Sequence, residues 1–94
     1  MINVALLGFG RIGQMHAQNI YLNKKLNLLY VCEKIDKLRR KAKNLYNCKI
    51  EKDYKKIFSD EKVDIIFIST PTSTHIKFIE EVSNMIKLFF VKNL

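Results

Sequence analysis

Apolar residues recur along this chain in two alternating rhythms, and the alternation predicts a layered fold. INVALL, residues 2–7, is an almost unbroken apolar run that stops at Gly8, as a strand covered on both faces would. From Arg11 to about Leu22 the pattern turns helical, with Ile12, Met15 and Ile20 toward one side. LNLLYVC, residues 26–32, reads as a second strand closed by the acidic Glu33. Asp36 is placed to cap a helix whose apolar stripe is Leu38, Ala42 and Leu45. The other faces of that helix carry Arg39, Arg40, Lys41 and Lys43, which read as solvated surface. A third strand is due around CKI, residues 48–50, and Asp53 is placed to cap a short helix through Ile57 and Phe58. VDIIFIS, residues 63–69, is β-branched and nearly all apolar, the pattern of a strand with helices on both sides. Pro71 stops it. Ser73 or Thr74 then caps a helix with Ile76, Ile79 and Val82 inward, and KLFFV, residues 87–91, is a fifth apolar run.

Strands alternating with helices of this length imply right-handed βαβ units. The predicted class is therefore α/β, with a Rossmann-type doubly wound parallel sheet of about five strands that is incomplete at the C-terminus. GFGRIG, Gly8–Gly13, is a G-x-G-x-x-G sequence that follows a predicted strand and opens a predicted helix, the context in which that motif has meaning. Gly8 permits the tight turn, Gly10 removes a side chain that would keep a pyrophosphate from the backbone, and Gly13 lets helix and strand approach. The helix start then offers unpaired N–H groups and the positive end of its dipole to phosphate. Glu33 lies twenty residues beyond Gly13 at the end of the second strand, where a carboxylate can accept from ribose hydroxyls. Such a carboxylate repels a 2′-phosphate, which favours NAD; Lys34 beside it keeps NADP as the less favoured option. The plainer alternative is a surface carboxylate that merely ends a strand.

Composition changes this picture little. The 94 residues carry a net charge of +8, but fourteen of the seventeen basic residues are Lys, spread from Lys24 to Lys92. No aromatic-interleaved basic motif accompanies them, so A/T-rich codon usage explains the charge at least as well as a nucleic acid does. Cys32 and Cys48 match no metal or redox spacing and fit buried thiols of a reduced protein. No leader and no apolar segment of bilayer-spanning length is read, so the expected setting is cytoplasmic, with no membrane partner. His16 reads as an ordinary helix-face residue, and His75 by its spacing as a first-turn helix residue.

VALLGFGRIGQMHAQNI and VDIIFISTPTSTH, with the spacing between them, resemble the glucose–fructose oxidoreductase/inositol 2-dehydrogenase/MocA (Gfo/Idh/MocA) family, most closely its inositol 2-dehydrogenase-like members. The resemblance implies NAD(P)-dependent oxidation of a sugar or polyol CH–OH group. It assigns Gly8, Gly10, Arg11, Ile12 and Gly13 to the pyrophosphate and Glu33 to the adenosine ribose. Thr70, Pro71, Thr72 and His75 would lie along the nicotinamide half. It covers only the N-terminal part of a family enzyme, so residues 1–94 are read as one NAD(P)-binding domain without the substrate domain. The family's Glu-Lys-Pro is replaced by Val91-Lys92-Asn93, and no residue is assigned a catalytic role. Read one base out of register with A/T-rich codons, Met85–Leu94 can encode DKIIFCEKP, so the tail is expected to be a frameshifted form of that strand. The chain is accordingly expected to bind dinucleotide weakly without catalysis, a sugar or polyol being bound only by an intact homologue. The alternatives are a free-standing nucleotide-binding or sensor module and, less favoured, a basic nucleic-acid-binding domain.

Overall fold

The computed structural model describes residues 1–69 and the backbone of residues 88–91. The elements follow as β1 (Ile2–Leu7), α1 (Arg11–Leu22), β2 (Leu26–Cys32), α2 (Asp36–Tyr46), β3 (Lys49–Glu51), α3 (Tyr54–Phe58), β4 (Ile65–Ile68) and β5 (Leu88–Val91). They build a five-stranded sheet in the order β3-β2-β1-β4-β5, with parallel neighbours throughout. The chain steps outward from β1 to β3 and then returns to the other side of β1. That reversal leaves a crevice beyond the carboxyl ends of β1 and β4, where open α/β sheets receive ligands.

Alternation along the strands divides the core into two layers. Ala5, Leu7, Ile66 and Ile68 face one side and pack with Ile57 and Phe58 of α3. Val4, Leu6, Leu28 and Val31 face the other and pack with Ala17 and Ile20 of α1 and Ala42 of α2. Leu6, Val31, Ile57, Ile66 and Ile68 are fully buried. At roughly 1.5–3 kcal/mol for each large aliphatic side chain removed from water, these two layers supply most of the drive to fold.

The five predicted strands and the first three predicted helices are present, but two of those helices turn differently on the sheet. In α1 the buried residues are Gly13, Ala17 and Ile20, whereas Met15 is 52% exposed. Small residues at positions 13 and 17 let the helix sit close to the strands, and Met15 is then carried round to the outer face. In α2 the inward line is Leu38, Ala42 and Tyr46, while Leu45 is 54% exposed. A spacing of four selects the aromatic Tyr46, which meets the buried Phe9 ring edge-on at 6.4 Å. Asp36 does not cap α2. Ile35 holds the cap position in an extended conformation and Asp36 is the first helical residue, paired with Arg39. Asp53 does cap α3, its carboxylate accepting from the Lys55 N–H at 2.9 Å. Pro71 and the helix expected from Ser73 or Thr74 lie outside the described residues.

Tyr30 ties the middle of the sheet to the approach to β4. Its hydroxyl donates to Asp60 Oδ2 at 2.6 Å, and the Lys49 ammonium lies 5.5 Å from its ring centre. The hydrogen bond to Asp60 is the main cause that pushes the Tyr30 phenol up to about 12 and holds the Asp60 carboxyl below its ordinary value. A lowered carboxyl contributes stability above its unfolded value that is lost as pH falls through the folded one. A raised phenol contributes below its unfolded value and loses this as pH rises through about 12. Tyr30→Phe should therefore cost about 1 kcal/mol, with the gap from the parent chain widest between about pH 4 and pH 10. Urea unfolding of both chains across that range measures it.

Candidate functional site

The turn after β1 is built around two glycines that no other residue can replace without movement. Gly8 has φ 103°, a left-handed conformation that side chains resist, and its N–H donates to Cys32 O at 2.8 Å. A Cβ on Gly13 would lie 2.2 Å from Gly8 O, far inside contact distance. Gly10 differs: a Cβ there would meet nothing within 4 Å, and its φ of −74° suits any L residue. The absence of a side chain at Gly10 thus leaves open space that the fold itself does not fill.

That space lies at the start of α1. Gly10 is the cap residue and has no side chain to satisfy the first-turn N–H groups, and no acidic residue lies in that turn. The orphan donors and the positive dipole end remain available to an anion. Of the residues predicted to line this subsite, Gly8, Gly10, Arg11, Ile12 and Gly13 are brought together by the turn and first helical residues.

Glu33, predicted to meet the adenosine ribose, lies beside this turn. Its Oε1 accepts from the Phe9 N–H at 2.8 Å and its Oε2 from the Ile35 N–H at 3.0 Å. An ionised carboxylate has about four acceptor positions, so about two stay free for further donors. Glu33 therefore does more than end a strand, because its carboxylate grips the glycine turn itself. Arg39, read from sequence as solvated surface, proves to brace this corner. Its guanidinium donates to Glu33 O at 2.6 Å and Lys34 O at 2.9 Å and pairs with Asp36. Lys41, likewise read as surface, donates to Gln14 Oε1 at 2.8 Å, and Gln14 Nε2 donates to Phe9 O at 3.2 Å. Sequence reasoning missed Gln14 altogether, since nothing in its spacing marks it.

Ser69 follows β4 and is bonded by its N–H to Leu7 O at 2.8 Å. Its buried hydroxyl, which has no hydrogen-bond partner among the described residues, lies 3.5 Å from where a Gly13 Cβ would be. His16 is not an idle surface residue: its ring lies 4.8 Å from that of Phe67. Burial, aided by Asp53, Glu33 and Glu51, pushes the Cys32 thiol up to about 12, and burial also raises Cys48. Neither thiol is a nucleophile at neutral pH. Thr70, Pro71, Thr72 and His75 lie outside the described residues. Among the described residues no cluster of His, Cys, Asp or Glu could hold a metal, and no helix is long and apolar enough to cross a membrane.

A parallel sheet of order β3-β2-β1-β4-β5 with a glycine turn between its first strand and helix defines a Rossmann dinucleotide-binding domain. Residues 2–90 match the Gfo/Idh/MocA family, described as an oxidoreductase family with an NAD-binding Rossmann fold, and the chain belongs to that family. It is 29% identical over 89 residues to inositol 2-dehydrogenase of Rhizobium meliloti (strain 1021), a match covering 95% of this chain and 27% of that protein. Scyllo-inositol dehydrogenase from Lactobacillus casei, solved with bound NAD(H) and scyllo-inositol, superimposes with a TM-score of 0.90 at 25% identity, over 97% of this chain and 27% of that one. Myo-inositol dehydrogenase from Corynebacterium glutamicum ATCC 13032 gives 0.89 at 26% identity, over 97% and 27% respectively. The chain spans about a quarter of the length of these relatives.

The two inner glycines predict different outcomes. Gly13→Ala should destabilise the domain by about 2 kcal/mol or more from overpacking, despite a helix-propensity gain of up to about 1 kcal/mol. Gly10→Ala meets no such overlap and should lower the thermal midpoint far less, by no more than the small loss of a favourable cap residue. Melting curves of the two variants beside the parent check both.

Proposed function

We propose that this chain is the NAD-binding part of an oxidoreductase acting on a sugar or polyol CH–OH group, of the inositol 2-dehydrogenase kind. The observation that carries this reading is the Glu33 carboxylate bonded to the Phe9 N–H beside the open α1 terminus. It would join a ribose acceptor at the end of β2 to a phosphate cradle at the end of β1 through one hydrogen bond. The pyrophosphate would lie on the N–H groups that follow Gly10, with Gly8 and Gly13 shaping the turn beneath it. The free acceptor positions of Glu33 would receive the ribose 2′- and 3′-hydroxyls. A 2′-phosphate would bring like charge to an acceptor-only group already fixed in place, so NAD is preferred to NADP.

The nicotinamide half would run toward Thr70, Pro71, Thr72 and His75. The relatives that carry cyclitol names make a polyol the natural substrate class for the complete enzyme. A nicotinamide held there would supply a hydride acceptor, and oxidation of a carbinol would also require a base within hydrogen-bond reach of its hydroxyl. None of the described residues is assigned that role. The chain as it stands should therefore bind dinucleotide weakly and not turn over substrate.

An NADH fluorescence titration tests the binding. Saturable enhancement is expected with the parent chain and should vanish in Gly10→Val, with a cooperative melting curve showing that the variant remains folded. Glu33→Ala should weaken NADH by about tenfold or more, from lost hydrogen bonds to a charged acceptor, and narrow the preference over NADPH. A parent chain that gives no saturable signal, or NAD reduction on adding myo-inositol, would contradict the proposal.

A further inference from the structure

Phe9 lies between the first two glycines of the turn, and its fully buried side chain anchors the turn in the core. Both peptide groups that flank it are held by side chains. The Gly8–Phe9 peptide is fixed through its N–H by Glu33. The Phe9–Gly10 peptide is fixed through its carbonyl, which accepts from Gln14 Nε2 at 3.2 Å. In a trans peptide the carbonyl and the following N–H point in opposite directions. Holding Phe9 O on one side therefore aims the Gly10 N–H to the other, and that N–H donates to no described residue.

The carboxamide that holds Phe9 O can face either way. One end donates and the other accepts, and a half-turn about its last bond would set oxygen against oxygen. Lys41 removes that ambiguity. Its ammonium has donors only, and it meets Gln14 Oε1 at 2.8 Å, which leaves the NH₂ end for Phe9 O. Lys41 belongs to α2 and Gln14 to α1, so the contact also joins the two helices on that face of the sheet.

We propose that Gln14 and Lys41 form a positioning latch that sets the Phe9–Gly10 peptide plane and so aims the Gly10 N–H at an incoming pyrophosphate. The latch rests on the dinucleotide reading for its purpose, but not for its existence. Lys41 acts through Gln14. It does not touch the ligand.

The test uses Gln14→Met, Lys41→Met, Lys41→Arg and the Gln14→Met/Lys41→Met pair, all at exposed or half-exposed helix positions that tolerate Met. The first readout needs no ligand: the residual dipolar coupling of the Gly10 amide, which reports the direction of its N–H bond. It should change in Gln14→Met and Lys41→Met and return to the parent value in Lys41→Arg. An unchanged Gly10 coupling in Gln14→Met overturns the latch, whether or not the chain binds dinucleotide. The second readout is affinity for NADH and for ADP. Gln14→Met should weaken both by about three- to tenfold, as one net hydrogen bond predicts. Lys41→Met should cost less in the parent and nothing further once Gln14 is gone, because two residues acting in series are not additive. An equal Lys41→Met loss in both backgrounds, fading with added salt, would mean that Lys41 acts as a free charge and would defeat its assigned role. A parent chain that binds neither ligand would defeat the functional reading above, leaving the dipolar coupling to decide the latch alone.

Discussion

The contact between Gly8 O and the Cα of Gly13 is the constraint on which the site depends. With 2.2 Å between that oxygen and a Cβ at Gly13, any side chain would force the first turn of α1 away from the end of β1. Close approach brings α1 down onto the sheet along Gly13, Ala17 and Ile20. It also places the uncapped start of the helix directly over the crevice between β1 and β4. Gly8 takes the left-handed turn without the penalty a side chain would meet, and Phe9 next to it anchors the turn in the core.

Glu33 ties the glycine turn to the neighbouring strand. A carboxylate at the end of β2 could have pointed into solvent, yet it holds the Phe9 N–H from one side while Gln14 holds the Phe9 carbonyl from the other. The end of β2, the glycine turn and the first turn of α1 are then parts of one hydrogen-bonded unit. Arg39 braces the β2–α2 corner beneath Glu33 by its bonds to two successive carbonyls. Such preorganisation lowers the ordering cost that any ligand of this turn must meet.

What the sequence made legible follows from how local each signal is. The strands were readable because fully covered strands are continuous apolar runs, and the glycine turn because Gly8 and Gly13 each answer a local steric need. Glu33 was placed by its distance from Gly13, but its bond to Phe9 depends on two strands being neighbours, which spacing alone does not encode. Met15 and Leu45 read as inward because hydrophobicity marks a face only to within a turn of helix; the small residues Gly13, Ala17 and Ala42 decide the actual rotation. Asp36 resembled a cap by type, yet the helix begins one residue earlier than a cap at Asp36 would require, with Ile35 in the cap position. Arg39 and Lys41 passed for solvated surface because their partners, backbone carbonyls and a carboxamide on another element, leave no trace in local pattern.

Amide chemical-shift mapping of the ¹⁵N-labelled chain during titration with NAD⁺ tests the central claim most directly. The account predicts saturable shifts concentrated on Phe9, Gly10, Arg11, Ile12 and Gly13, with a second group at Glu33 to Ile35. Shifts confined to the basic outer face of α2, around Lys37, Arg40 and Asn44, or no saturable shifts at all, would contradict it.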